Sequence, residues 1–551
     1  MNYTEEPKVH NSPLIRKMYN KLIIVMLALA TLFVIVSFYT CLPSFINACR
    51  GDSLRRRDIK YDTNIGKYEH LVEHIRKTDL SRLKEEIYLD YTGSGLYRDS
   101  QVDSITKQMK STLFGNPHSD SPSSLKADAI VEGMRDRILK WFDADPEKYT
   151  VIFTSGATGA LHMIGESFPW SRDSHYYYLQ ENHNSVLGIR QFAGDHGASF
   201  HVVKEQEMLN IPKNPYTKEN RLFPLKEGED EIFNLFAYPL EENFSGKIFP
   251  LEYIQRVQGY DSFEKKGRWL VLLDAAAYVP THHLNLTQYN PDFVTISFYK
   301  IFGFPTGTGC LIVKKDAITY LNKVYWGGGS VIQTISGDKG SIRLPGRLPR
   351  KYEDGTSNFM SIIQLEEGFK AIESVGGYTT ITPYMNYLTK ELYQGLSSLR
   401  HRNNNPVLQI YGNHGNTVEL YGNYYSREDL NKTIYDTIQG SIVTCNVLAE
   451  DGTIIDFMEV ERMAAKHHLH VRSGWHCNPG ATFKSLNMKE EEVIRQIESH
   501  SCTSSYQCPH QEAITVINGT LAGGIRLSLG YLSTIEDVNA VIHFFKQYYS
   551  H

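Results

Sequence analysis

The chain has 551 residues, a formal net charge of -5 and seven cysteines. A near-neutral balance without a clustered basic face gives no support to nucleic-acid binding, and thiols scattered at positions 41, 49, 310, 445, 477, 502 and 508 form neither a disulfide framework nor a C-x-x-C zinc pair. The length leaves room for a large ligand-binding domain and a smaller one beyond an amino-terminal anchor.

From the amino end, residues 22–42 carry no charge, and a helix needs about 20 apolar residues to cross the hydrocarbon of a bilayer. The run exceeds the roughly 7–15 residues of a secretory h-region, so a single-pass transmembrane helix is predicted over residues 22–42. Arg16, Lys17 and Lys21 precede it, and Arg50, Arg55, Arg56 and Arg57 follow. The excess after the span puts the rest of the chain in the cytosol by the positive-inside rule. Residues 1–60 are therefore read as tail, anchor and basic linker, 61–360 as a large domain and 361–551 as a small one. Strand and helix patterns alternate over 149–313, as in an α/β domain with a mostly parallel sheet and helices on both faces. The charged stretch 204–231, with Pro212, Pro215 and Pro224, reads as a surface excursion. Helices are predicted at 361–374 and 379–399. After the HRNNNP break, strands at 407–411, 417–421 and 441–447 with helices at 457–467 and 535–549 make an α+β small domain.

Several of these junctions carry chemistry. In YTVIFTSGATGALHMIGESF a strand turns through Ser-Gly-Ala-Thr into a helix whose first amides are free to bind a phosphate. Ala157 and Thr158 offer amides and a hydroxyl, and Gly156 permits close approach; alone, the same turn is an ordinary helix cap. His183, in QENHNSVLGIR, follows the apolar strand at 176–179 and can stack on a flat ring. Asp274 ends the buried strand at 269–273 in RWLVLLDAAAYV. A buried acid needs a partner, and a pyridinium nitrogen is one, because the carboxylate keeps it protonated and makes the ring an electron sink. Lys300, in SFYKIFGFPTGTG, lies 26 residues further on, about one strand-crossover-strand unit, so both side chains can reach one crevice. A dry strand-to-loop junction lowers an amine's pKa and limits its motion. Cys477, in RSGWHCNPG, sits in a polar loop with Arg472 and His476 near in sequence, the setting that a nucleophilic thiolate needs, against the competing reading of a buried free cysteine. Lysine, aspartate and cysteine together point to a pyridoxal-phosphate enzyme that handles sulfur.

Six ordered phrases, YLDYTGSG, FGNPHS, ENHNSVLGIR, ENFSGKIFPL, SFYKIFGFPTG and HCNPGA, resemble those of the class V, fold-type I pyridoxal-phosphate enzymes, and within them the cysteine desulfurases and molybdenum cofactor sulfurases. The resemblance runs from Tyr88 to the GIRLSLGYLS phrase at Gly524. It implies a fold-type I transferase in which Lys300 forms the Schiff base with pyridoxal 5'-phosphate, Asp274 meets the ring nitrogen and His183 stacks on the ring. It further implies that Asn243 lies near the ring hydroxyl and the substrate, and that Ala157, Thr158, Ser297 and Tyr299 contact the phosphate. Thr356, in EDGTSN, would reach the phosphate of the other subunit in a homodimer, and Arg526 would pair with the substrate α-carboxylate, a task suited to a bidentate guanidinium. Lys300, His183 and Cys477 are then the catalytic residues. Cys477 would take sulfur from L-cysteine as a persulfide, release L-alanine, and pass the sulfur to molybdenum cofactor or a separate acceptor protein. The chain departs from the pattern at Trp475 and Thr482, where sulfurases often have further cysteines, and at Ala277, where desulfurases proper often carry a glutamine near the ring oxygen. It also ends at His551, without the carboxyl-terminal acceptor domain of full-length sulfurases. The competing expectations are another class V reaction, as a transaminase, lyase or epimerase that does not need Cys477, and a non-catalytic membrane-tethered scaffold.

Overall fold

Runs rich in Val, Ile, Leu and aromatic residues form the strands of the principal sheet. They are β1 (Tyr149–Thr154), β2 (His175–Leu179), β3 (Ser199–Val203), β4 (Phe233–Pro239), β5 (Arg268–Asp274), β6 (Phe293–Ser297) and β7 (Gly309–Lys314). Their spatial order is β1-β7-β6-β5-β4-β2-β3, with the short strand Gly259–Tyr260 paired to β5. Strand β7 runs antiparallel to β1 and β6, the short strand runs antiparallel to β5, and the other neighbours are parallel. The computed structural model describes residues 63–337, 344–346, 348–415, 434–435, 437–500 and 515–551. The span predicted at 22–42, the strand predicted at 417–421, and Cys41, Cys49, Cys502 and Cys508 lie outside them. Among the described residues, no helix is long and apolar enough to cross a membrane.

Successive side chains of a strand point to opposite faces. Trp269, Val271 and Leu273 of β5 accordingly join one apolar cluster, and Leu270 and Leu272 the other. None of the five exceeds 1% exposure, so this central strand is buried on both faces, as parallel sheets are. Each such side chain contributes about 1.5–3 kcal/mol of burial free energy. Helix α1 (Ala157–Ser167) and the helix Ile189–Asp195 cover one face, and the helices Pro122–Trp141 and Phe359–Glu373 the other.

A second sheet is formed by β8 (Leu408–Tyr411), β9 (Ile442–Val447), β10 (Arg472–Gly474) and β11 (Gly524–Ser528), in the order β8-β9-β11-β10 and antiparallel throughout. The first described helix, Thr63–Asp79, is fastened to this carboxyl-terminal half. Tyr68 donates to the Tyr531 carbonyl at 3.0 Å, and Arg76 pairs with Asp537, its Nη2 lying 2.9 Å from Oδ1. Next along the chain, Ile87–Tyr88 pairs in parallel with Leu469–His470, and Asp90 bridges to Ser528 beside β11. The stretch read as a loop over 204–231 begins with a helix, Glu205–Asn210, whose Met208 and Leu209 are buried and whose buried Glu205 pairs with Lys247. Buried apolar contacts and an ion pair to a distant segment outweigh the local charge density that suggested a loop.

Candidate active site

Strands β4, β5 and β6 end side by side at Pro239, Asp274 and Ser297, and a pocket opens at these carboxyl ends, where open α/β sheets bind ligands. Ala157, Thr158, His183, Asn243, Asp274, Ser297, Tyr299 and Lys300 all line it, together with Glu241. Lys300 lies on the short helix α2 (Phe298–Phe302), whose Phe298, Ile301 and Phe302 are buried. That anchoring leaves the lysine for the pocket. Desolvation lowers its pKa, with Asp274 opposing and Arg526 and Arg472 adding to the fall, so its amine loses a proton more easily than an exposed lysine does. Asp274 accepts from the Ala276 amide at 3.1 Å and from Thr295 Oγ1 at 3.3 Å.

His183 Nδ1 accepts from the Ser185 amide at 3.1 Å, which assigns the ring proton of the neutral form to Nε2. Burial lowers its pKa and outweighs the opposing pull of Asp274, so the ring is neutral near pH 7. At the start of α1, the Ala157 amide donates to Ser297 Oγ at 2.9 Å, and Thr158 Oγ1 lies 2.9 Å from Ser185 Oγ. Gly156 holds φ at +94°, a conformation that favours glycine. Gly309 on β7 packs so closely here that a Cβ on it would fall 2.5 Å from the Gly156 Cα. Tyr299 is half-buried and burial raises its phenol pKa, which keeps its hydroxyl a neutral donor.

Cys477 is exposed, whereas Cys310 and Cys445 are buried, and burial pushes both buried thiols up, Cys445 to about 12. Its carbonyl accepts from the Asn184 amide at 2.7 Å, one residue from His183. Asn478 donates to the Glu181 carbonyl at 2.9 Å and to Asn243 Oδ1 at 3.2 Å, while Asn243 Nδ2 donates to the His476 carbonyl at 2.5 Å. The thiol loop is thus fastened to the His183 loop and to Asn243. These bonds hold His476 and Cys477 at φ +53° and +56°, and such left-handed non-glycine residues cost on the order of 1–3 kcal/mol each.

Arg526 is 2% exposed, donates to the Asn243 carbonyl at 2.9 Å and pairs with Asp90 Oδ1 at 2.8 Å; its Nε has no hydrogen-bond partner. Arg472 takes the other oxygen of Asp90, at 2.8 Å. Arg472 and His476, near Cys477 in sequence, are otherwise engaged: Arg472 is bound to Asp90, and the His476 ring is buried against Phe244 at a centroid distance of 5.6 Å. Burial pushes the His476 pKa well down, so its ring supplies no positive charge. Of the expected site residues, Cys477, Arg526 and Thr356 are not in the pocket lining; Thr356 is exposed, with its hydroxyl accepting from Asn116 Nδ2 at 3.2 Å. Sequence reasoning missed Asp90, Glu241, Ser185 and Asn478, although all four sit within the motif phrases or directly beside them.

Comparison with known proteins agrees with this geometry. The aminotransferase class-V family model matches residues 87–434. The chain is 36% identical over 496 residues to the molybdenum cofactor sulfurase of Oryza sativa subsp. japonica, across 86% of this chain and 57% of that protein. It is 35% identical over 487 residues to the molybdenum cofactor sulfurase of Homo sapiens, across 86% of this chain and 51% of that protein. The chain therefore spans about half the length of these curated relatives. Among solved structures, the cysteine desulfurase of Thermococcus onnurineus NA1 is similar with a TM-score of 0.63 at 18% identity, covering 87% of this chain and 98% of that one. The cysteine desulfurase CsdA of Escherichia coli gives a TM-score of 0.60 at 16% identity, covering 86% and 98%. With a family match over most of its length and the same fold as the desulfurases, the chain belongs to the class-V aminotransferase family.

Proposed function

We propose that the protein is a pyridoxal-phosphate-dependent cysteine desulfurase of the molybdenum cofactor sulfurase type. It takes sulfur from L-cysteine onto Cys477, releases L-alanine, and passes the sulfur to an acceptor such as molybdenum cofactor or a separate acceptor protein. The relatives named molybdenum cofactor sulfurase support this reading. One observation carries it: the 2.7 Å hydrogen bond from the Asn184 amide to the Cys477 carbonyl, which ties the backbone of an exposed cysteine to the loop of His183, a residue of the pocket lining.

The donor set fits the cofactor. Lys300 offers an amine for its aldehyde and Asp274 a carboxylate for its ring nitrogen, while the first amides of α1 with the Thr158 and Ser297 hydroxyls suit its phosphate. When bound, pyridoxal phosphate supplies an aldehyde that condenses with amines and a ring that draws electrons from the neighbouring carbon. Asp274 would keep a proton on the ring nitrogen, and the neutral His183 ring, also in the pocket wall, would shield it from water. Lys300, with its lowered pKa, moves a proton at the substrate α-carbon. Arg526 orients the α-carboxylate. The Cys477 thiolate attacks the substrate sulfur; the carbon–sulfur bond breaks, its electron pair and a proton go to carbon, and alanine leaves. The sulfur stays on Cys477 as a persulfide until the acceptor takes it.

The same reading includes a homodimer with Thr356 at the subunit boundary, supported by the exposed apolar side chains of Leu113, three residues before the Asn116 that bonds Thr356, and of Tyr325 and Ile332. It also includes a membrane tether at residues 22–42 with the catalytic part in the cytosol, resting on the uncharged run and its arginine-rich flank. Incubation with L-cysteine and a reductant tests the core of the proposal: the protein forms alanine and sulfide, and Cys477→Ser forms neither while keeping the visible absorption of the bound cofactor. Alanine formed by Cys477→Ser at the unsubstituted rate would point to a different class V reaction.

A further inference from the structure

Two adjacent glutamates follow β4, and the structure treats them differently. Glu242 accepts from the Phe244 amide at 2.7 Å, the Ser245 amide at 2.8 Å and the Ser245 hydroxyl, so its carboxylate is consumed in shaping the turn. Glu241 is 3% exposed, lines the pocket with Lys300 and Asp274, and its Oε2 has no hydrogen-bond partner. Its carboxyl packs directly against Gly440, where a Cβ would fall 2.2 Å from Oε1. An unpartnered buried carboxyl costs stability unless a ligand completes it.

The cofactor reading above, on which this inference rests, leaves one polar group of the ring without a partner. The phosphate suits the start of α1, the ring nitrogen suits Asp274 and the aldehyde suits Lys300. The oxygen on the carbon next to the aldehyde remains. Asn243, the expected neighbour of that oxygen, is held by the thiol loop, one N–H donating to the His476 carbonyl and its oxygen accepting from Asn478, which leaves it a single N–H. Ala277, also in the pocket wall, has no polar side-chain atom to offer.

We propose that the Glu241 carboxyl donates a hydrogen bond to the ring hydroxyl oxygen of the cofactor held by Lys300. Donation requires a protonated acid. Burial pushes the Glu241 pKa well above the usual carboxylate range, Glu242 adds to the rise, and Lys300 opposes it. The pocket then holds two acids with opposite tasks, Asp274 accepting a proton-bearing ring nitrogen and Glu241 giving a hydrogen bond to an oxygen.

The test is a pH titration of the visible absorption of the purified, cofactor-loaded protein. A donor on the ring oxygen weakens that oxygen's hold on the proton of the Lys300 nitrogen. Glu241→Leu removes the donor, so the midpoint of the visible transition rises by about one to two pH units, the shift expected from losing one hydrogen bond to a charged oxygen. Glu241→Gln keeps a neutral donor of the same shape, and its midpoint stays where it was. An unshifted midpoint in Glu241→Leu overturns the proposal. So does a fall of about one unit in Glu241→Gln, which would reveal that a negative charge had been removed; Glu241→Ala, which also lacks a donor, supplies the first arm if the leucine variant fails to fold. If the unsubstituted protein shows no visible band with pyridoxal phosphate, the cofactor reading itself fails, an outcome distinct from either shift.

Discussion

At the cofactor end of the pocket, Asp274 and Ser297 terminate strands of a sheet whose central member is buried on both faces, and Lys300 follows directly on the helix capped by Ser297. Around the Cys477 loop, by contrast, Cys477, Asn243 and Arg526 sit on separate segments joined by single hydrogen bonds, such as Asn243 to the His476 carbonyl, 233 residues apart, and Arg526 to Asp90, 436 apart. The first end takes its geometry from apolar packing, so a polar substitution there removes chemistry and leaves shape. The second takes its geometry from the polar groups themselves. A substitution there loosens the shape even where the reacting atom is untouched.

The sharpest way to break this contrast is Lys300→Ala. It should lower alanine formation by on the order of 10³-fold or more and remove the visible absorption, while near-ultraviolet circular dichroism of the apoprotein stays unchanged. Asn478→Ala probes the opposite end. It cuts the ties to the Glu181 carbonyl and to Asn243, and the 3.0 Å cap on the Ala481 amide that starts α3 (Pro479–Ser485). Turnover should fall by about 10²-fold, the cost of a misplaced reacting group, with the absorption spectrum intact; an unaltered rate would show that the thiol loop needs no fastening. Arg526→Lys should raise the KM for L-cysteine by about 10-fold or more with a smaller change in kcat, since a lysine cannot reproduce the fork.

The smallest effect concerns pH. The His476 pKa is lower in the folded protein than the ordinary value of 6.5. The unfolded chain therefore takes up a proton as pH falls through about 6.5 while the folded one does not, and stability is lost on the acid side. His476→Gln should make stability fall less between about pH 6.5 and 5, read from urea unfolding at the two pH values.

The cofactor end was largely legible in the sequence because its signals are local: an apolar run ending in a polar residue, as at Leu273–Asp274 and Ser297–Lys300, marks a strand terminus whatever the rest of the chain does. Cys477 was legible for a similar reason, in a loop phrase between glycines. The tasks of Asp90, Asn478 and Glu241 were not, since each depends on which distant segment comes to lie against it. Arg472 shows the limit most clearly: it stands five positions before the thiol, yet its guanidinium belongs to Asp90. The helix Glu205–Asn210 escaped for the same cause, its Lys247 partner lying beyond the next strand.

The pairing of Asp90 with Arg526 also fixes an order of assembly. All seven long strands of the principal sheet lie between residues 149 and 314, so that sheet can close while the ribosome is still making the second one. The Arg526 guanidinium arrives on the last strand, after more than two hundred further residues, and must find a partner made near the beginning of the described chain. Contacts of such long sequence separation form slowly, after their loop entropy has been lost. A nascent or truncated chain ending before residue 524 would therefore carry the Lys300 pocket without the Arg526–Asp90 pair.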